Sequence, residues 1–167
     1  DRVLEVSLDP ASVHGERLHR VRRREVFVPH DVAVERKSSR HAVDDELIET
    51  DFGAWEGWTF SEAAQRDPEL HSRWLRDTTV APPGGESFDA VAERVRRARN
   101  RIVEEYAGST VLVVSHVTPI KTMLRLALDG NAGILYRLHL DLASLSIAEF
   151  YPDGLASVRL VNQTSYL

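Results

Sequence analysis

The chain of 167 residues contains no cysteine. This absence excludes disulfide bonds, a thiol nucleophile and metal sites with thiolate ligands. No apolar run approaches the length of about 20 residues that a membrane-spanning helix needs, and no signal peptide is visible. We therefore expect a cytoplasmic protein that has no membrane partner. Because the first residue is Asp1 and not Met, we also expect a fragment or a processed chain.

The chain also has no excess of positive charge. The formal net charge is -5, which disfavours nucleic acid as a partner. Hydrophobic residues make up 43% of the chain and charged residues 28%, as in an ordinary soluble domain with a real core. Histidine and acidic residues are not paired at metal-site spacing, so we expect no metal and no other cofactor.

The most informative stretch covers residues 110–128. Residues 110–114 are β-branched or apolar, which predicts a strand buried on both faces. His116 follows at the carboxyl end of this strand, and Pro119 lies in the first turn of a predicted helix. In open α/β sheets ligands bind outside the carboxyl ends of strands, and helix N-termini favour anions. The stretch therefore predicts an anion site that contains an imidazole.

Helices are predicted before this strand. Apolar residues recur every three or four positions over residues 86–106, which indicates a long amphipathic helix. Two shorter helices are expected within residues 59–77, where Thr59 or Ser61 caps the first and Asp67 with Pro68 begins the second. We expect a mostly solvated face for the arginines of the long helix, which are Arg94, Arg96, Arg97, Arg99 and Arg101.

Residues 44–58 combine acids, aromatics and two glycines. This composition predicts a loop with a short strand at residues 47–48. Phe52, Trp55 and Trp58 should pack the loop onto the domain, because such side chains are costly to leave in water.

Residues 146–151 and 156–161 read as strands joined by a turn at residues 152–154, which is a β-hairpin. The element order predicts an α/β fold whose mixed sheet carries an antiparallel edge.

Residues 1–43 have no long helical or strand period. Short strands are conceivable at residues 3–6, 26–28 and 32–34. The arginine run at residues 22–24 suits a solvated face or arm, and the alternative is a phosphate-binding patch. We therefore treat residues 1–43 as an atypical segment and residues 44–167 as the domain.

Three motifs carry a resemblance to a known family. ELIETDFGAWEG at residues 46–57, PPGGES at 82–87 and VLVVSH at 111–116 together resemble the histidine phosphatase superfamily. The final segment is particularly similar to the C-terminal phosphatase domain of actinobacterial bifunctional ribonuclease H/acid phosphatases. The resemblance implies an α/β, phosphoglycerate-mutase-like sandwich with a mixed, mostly parallel sheet flanked by helices, incomplete at the N-terminus.

The resemblance also implies an activity. It indicates a phosphomonoesterase that transfers a phosphoryl group to a histidine and then to water. Glu49 matches the family's acid, and His116 with the N–H of Val117 matches its phosphate-binding donors. Glu86 and Ser87 match the segment beside the substrate pocket. The substrate would be a small phosphorylated metabolite such as a sugar, an acid or α-ribazole phosphate.

Two family motifs are not found. The Arg-His-Gly nucleophile motif has only a superficial match at His14, and the Ser-Ser-Pro motif has a weaker match at residues 38–40. We do not expect His14 to be the nucleophile, and we leave His71 and His139 as structural or exposed. Two alternatives stay open: an impaired phosphomonoesterase, or an inactive phosphate-binding or structural remnant. If residues 1–43 supply no first strand, an open sheet edge would favour a homodimer.

Overall fold

The computed structural model describes the backbone of residues 3–8 and residues 42–151 and 153–166 with their side chains. Several sequence predictions concern the segments in between. His14, the arginine run at 22–24, the strands at 26–28 and 32–34 and the serines of 38–40 all lie outside the described residues.

The described strands form one mixed sheet. They are β1 (Val3–Leu8), β2 (Thr110–Ser115), β3 (Leu145–Phe150) and β4 (Ala156–Gln163). Their order is β2-β1-β3-β4. The pair β1–β2 is parallel, whereas β1–β3 and the hairpin β3–β4 are antiparallel. The α/β fold class and the antiparallel edge are therefore confirmed.

The strand β1 lies beside β2, in register from Val3 opposite Thr110 to Leu8 opposite Ser115. The N-terminal segment thus supplies a parallel neighbour for β2. The condition that we set for self-association, a β2 strand without this neighbour, is not met. The division of the chain at residue 44 and the homodimer stay predictions.

The expectation that β2 is buried on both faces is wrong. Val113 and Ser115 are buried, but Thr110 is exposed and Leu112 is 37% exposed. Successive side chains of a strand point to opposite faces. The face that carries Val113 packs against the helix that follows β2, and the opposite face of the strand stays more open.

Four helices accompany the sheet among the described residues. They are α1 (Phe60–Arg66), α2 (Pro68–Trp74), α3 (Phe88–Glu105) and α4 (Val117–Ala127). All four were predicted from apolar spacing and caps. The caps also follow the sequence, since Thr59 and Glu62 form a reciprocal capping box at α1. No helix within the described part of the chain is long and apolar enough to cross a membrane.

Two hydrophobic cores hold these elements together. The larger core joins α3 and α4 to the sheet, with Val91, Val95, Ile120 and Leu124 almost fully buried. The smaller core is aromatic and lies between residues 52–55, α2 and the start of α3. Phe52 and Trp55 are part of this core and pack the loop of residues 44–58 onto the domain as predicted, whereas Trp58 is half-buried and lies outside the core.

Two local predictions in this region are corrected. Asp45–Leu47 forms a 3-10 helix and not a strand, because the Asp44 side chain accepts the N–H of Glu46 and turns the backbone. Asp67 precedes α2 but does not cap it with its side chain. Its carboxylate instead accepts a hydrogen bond from Trp55 Nε1 at 2.8 Å, since the buried indole N–H needs a partner.

Candidate functional site

His116 lies at the junction between β2 and α4. Its backbone is extended (φ -111°, ψ 174°), and it occupies the cap position of α4 without donating or accepting a side-chain capping bond. The helix begins with Val117 and Thr118, and first-turn N–H groups have no partner within a helix. The structure therefore places the His116 backbone at the start of α4. That its imidazole contributes to an anion site stays a prediction.

Glu49 lies in the segment that follows the first 3-10 helix. Only 7% of the residue is exposed, and its Oε1 accepts the N–H of Thr50 at 2.8 Å. Two residues earlier, the carbonyl of Leu47 accepts a hydrogen bond from Ser115 Oγ at 2.6 Å. This buried bond ties the segment that carries Glu49 to the end of β2, directly before His116. That both side chains face one cleft stays a prediction.

The expectation of a solvated face is wrong for Arg94, which is only 8% exposed. Its guanidinium donates to the carbonyls of Glu46 and Ile48 at 2.7 and 2.8 Å and to that of Glu49 at 3.2 Å. It also forms two hydrogen bonds with the Glu86 carboxylate, at 3.0 and 3.1 Å. A buried arginine requires such acceptors. Sequence reasoning missed these long-range partners.

Glu86 and Ser87 are engaged by the scaffold. The Glu86 carboxylate accepts from Arg94 and, at 3.0 Å, from the N–H of Asp51. The Ser87 hydroxyl accepts the N–H of Ala90 at 3.1 Å and caps α3. Both side chains thus form hydrogen bonds to other residues of the chain. Their contribution to a substrate pocket stays a prediction.

Lys121 is a cation that the sequence reasoning did not select. It is half-buried on α4, and its Nζ donates to the carbonyl of Leu135 at 3.3 Å. Burial lowers the pKa of Lys121, and the charge of Glu49 acts in the opposite direction. A lysine one helical turn after Val117 is the signal that could have found it. Lys121 is therefore a further cation on α4 whose charge is felt at Glu49.

The remaining singled-out histidines lie elsewhere. His71 is buried in the aromatic core, with its ring centre 5.6 Å from that of Trp55 and 5.7 Å from that of Trp74. His139 is exposed and lies 3.0 Å from Asp141. Among the described residues no three His, Asp or Glu side chains are grouped so that they could hold a metal ion.

Comparisons with known proteins identify the family of this chain. The model of the histidine phosphatase superfamily (branch 1) matches residues 23–163, so the chain belongs to that superfamily. The chain is 76% identical over 125 residues to the bifunctional protein Rv2228c of Mycobacterium tuberculosis. These residues cover 75% of this chain and 34% of that protein. The chain thus spans about a third of the length of this curated relative.

More distant relatives extend the comparison. Phosphoserine phosphatase 1 of Hydrogenobacter thermophilus is 31% identical over 105 residues, which cover 62% of this chain and 50% of that protein. Among solved structures, Bacillus stearothermophilus YhfR superimposes with a TM-score of 0.79 and 23% identity, and 99% of each chain is covered. The structural likeness confirms the fold.

Proposed function

We propose that the protein is a phosphomonoesterase for a small phosphorylated metabolite, from a lineage that works through a phosphohistidine intermediate. We propose that turnover by this chain is impaired, because the nucleophile motif of the family is not found in it. The observation that carries the proposal is the position of His116, between the carboxyl end of β2 and the N-terminus of α4. Membership of the histidine phosphatase superfamily supports the reaction class. The named phosphoserine phosphatase among the relatives supports a phosphate monoester as substrate.

His116 would bind the transferred phosphoryl group. The transition state of phosphoryl transfer resembles metaphosphate and spreads charge over its equatorial oxygens. A protonated imidazole and the N–H groups of Val117 and Thr118 would donate to these oxygens. Donors that are fixed before the reaction stabilise such charge without reorganisation. His116 is therefore proposed as a donor and not as the nucleophile.

Glu49 would donate a proton to the leaving oxygen. Its carboxylate is nearly buried and fixed at one oxygen by the Thr50 N–H. Proton transfer by a positioned side chain typically contributes about 10²–10⁴-fold to a rate. This contribution should be greatest for substrates whose leaving group is a strong base, because such a group cannot depart without a proton.

This chain departs from its family in the motif that supplies the nucleophile. The Arg-His-Gly motif is absent, and the superficial match at His14 lies outside the described residues. Loss of one transition-state donor costs about 3 kcal/mol, and a missing nucleophile and its arginines should cost more. We therefore propose slow turnover, and the absent motif favours phosphate binding without turnover as the second candidate.

The substrate should be selected by residues 59–80, which contain α1 and α2 and are proposed as a lid. The lid is fixed to the rest of the molecule through the Trp55 indole and through Tyr136, whose hydroxyl donates to the Trp74 carbonyl at 2.9 Å. Phosphorylated sugars, phosphorylated acids and α-ribazole phosphate are the proposed substrate classes.

Phosphate release and phosphate binding separate the two candidates. Purified chain would be assayed with a panel of phosphate monoesters, with and without a chelator, and calorimetry would measure inorganic phosphate binding. We expect slow, chelator-insensitive release that His14→Ala leaves unchanged. Binding without release would support the second candidate, and loss of release in His14→Ala would identify His14 as the nucleophile. Release that needs one divalent ion would contradict the mechanism.

A further inference from the structure

All five N–H donors of the Arg94 guanidinium are occupied. Nε and one donor of Nη2 bind the two oxygens of Glu86, and the other Nη2 donor binds the carbonyl of Glu49. Both donors of Nη1 bind carbonyls, those of Glu46 and Ile48. An arginine side chain has five such donors in a fixed planar fork. No shorter or simpler cation would satisfy the same five acceptors.

Glu86 extends this arrangement to the other side of Glu49. Its carboxylate accepts the N–H of Asp51 at 3.0 Å, and its own N–H donates to the carbonyl of Asp51 at 2.7 Å. The backbone is therefore held at Glu46, Ile48 and Glu49 by Arg94 and at Asp51 by Glu86. Glu49 lies between these anchoring points, in a segment without regular secondary structure beyond the preceding 3-10 helix.

We propose that Arg94 and Glu86 form a positioning pair that holds the Glu49 carboxyl in place for proton transfer to the leaving group. This inference rests on the proposed function of Glu49. Arg94 binds the backbone of residues 46–49 and not the Glu49 carboxylate, so it acts through the backbone. Its partner Glu86 makes the buried guanidinium tolerable, because a buried charge requires a hydrogen-bonded counter-charge.

The pair explains why a loop can carry the acid. A misplacement of about 1 Å can reduce a rate about 10²-fold, and loops are generally more mobile than the elements that they connect. Here three of the five Arg94 donors, on helix α3, bind the loop carbonyls and replace the hydrogen bonds that a strand or helix would provide.

The test is Arg94→Lys, with Arg96→Lys as matched control. Lysine keeps the charge but offers one point of contact in place of a planar fork. Arg96 lies on the same helix, is more exposed and pairs with Glu93 of its own helix. Each variant would be assayed with an alkyl phosphate, which is a poor leaving group, and with 2,4-dinitrophenyl phosphate, which is a good one. Glu49→Gln sets the scale for complete loss of the acid.

We expect Arg94→Lys to lower kcat for the alkyl phosphate at least about tenfold more than for the dinitrophenyl ester, in the same direction as Glu49→Gln. Arg96→Lys should leave both rates unchanged. A purely structural role would lower both rates in equal proportion, through the folded fraction alone. Equal losses in Arg94→Lys, beside a leaving-group-dependent loss in Glu49→Gln, would overturn the proposal.

A second readout does not depend on turnover. The Thr50 N–H donates to the Glu49 carboxylate, so its hydrogen exchange reports whether that carboxyl is held. In Arg94→Lys the Thr50 amide should lose protection while amides of α4 keep theirs, which marks local and not global opening. Unchanged Thr50 protection would overturn the positioning role. If Glu49→Gln shows no leaving-group dependence, the proposed acid fails, and the Thr50 amide still decides whether Arg94 positions residue 49.

Discussion

Replacement of Gly53 by alanine should destabilise the protein more than the same change at Gly84. Both glycines have positive φ angles, +54° and +72°, so both substitutions place a side chain in the left-handed region. A Cβ atom at Gly84 would meet no heavy atom within 4 Å. A Cβ atom at Gly53 would lie 2.3 Å from the carbonyl oxygen of Pro83 and 2.5 Å from the nitrogen of Gly85.

The magnitude follows from this difference. Left-handed backbone costs a non-glycine residue about 1–2 kcal/mol, and this cost applies to both variants. Overpacking adds about 1–3 kcal/mol at Gly53 alone, because the neighbouring atoms belong to backbone. The backbone between residues 83 and 85 cannot rotate away as a side chain would. Gly53→Ala should therefore lose about 1–3 kcal/mol more than Gly84→Ala.

Urea unfolding of the two variants and the parent would measure this difference. The slope m should be the same for all three proteins, so that the midpoints report the free energy of unfolding directly. Equal midpoints for Gly53→Ala and Gly84→Ala would refute the reasoning, since they would show that residues 51–53 and 83–85 do not pack as closely as the structure has them.

Three further predictions concern the core, pH and metal. Trp55→Ala removes a side chain with 0% exposure and should cost about 3–5 kcal/mol in urea unfolding, whereas Leu155→Ala, at 67% exposure, should change stability by less than about 0.5 kcal/mol. Burial acts to raise the pKa of Glu46, but hydrogen bonds from Arg101 and Arg97 hold that pKa below its ordinary value. The resulting stabilisation is present above the unfolded-state pKa and is lost as pH falls through the folded-state pKa, so the deficit of Glu46→Gln at neutral pH should close in acid; a constant deficit would contradict this. A chelator should not change the melting temperature, and a lowered one would indicate a bound ion.

The periodic part of the fold was predictable from the sequence. Apolar residues at helical spacing indicated α3 and α4, and a turn between two alternating segments indicated the β3–β4 hairpin. These signals are local, because each element forms from residues within one or two turns of one another. The spacing of Val91, Val95 and Ala98 also places Arg94 beside the buried stripe, three positions after Val91. We nevertheless predicted a solvated position for Arg94 because its side chain is charged.

The partners of the buried polar groups were not predictable in the same way. Arg94 binds carbonyls 45 to 48 residues away in the chain, and backbone carbonyls carry no sequence signal. The hydrogen bond from Ser115 to the carbonyl of Leu47 spans 68 residues and likewise has no signal in the sequence. Burial of β2 was overestimated because an apolar run does not show which of its two faces a neighbouring helix covers.

His116 is proposed to bind the transferred phosphoryl group. The most direct measurement is kcat/KM for 4-nitrophenyl phosphate with the parent, His116→Ala and His139→Ala, the last being an exposed histidine outside the candidate site. We predict slow phosphate release by the parent, a loss of about 10²–10³-fold in His116→Ala and no change in His139→Ala. If His116→Ala keeps the parent's kcat/KM, His116 does not bind the transferred phosphoryl group.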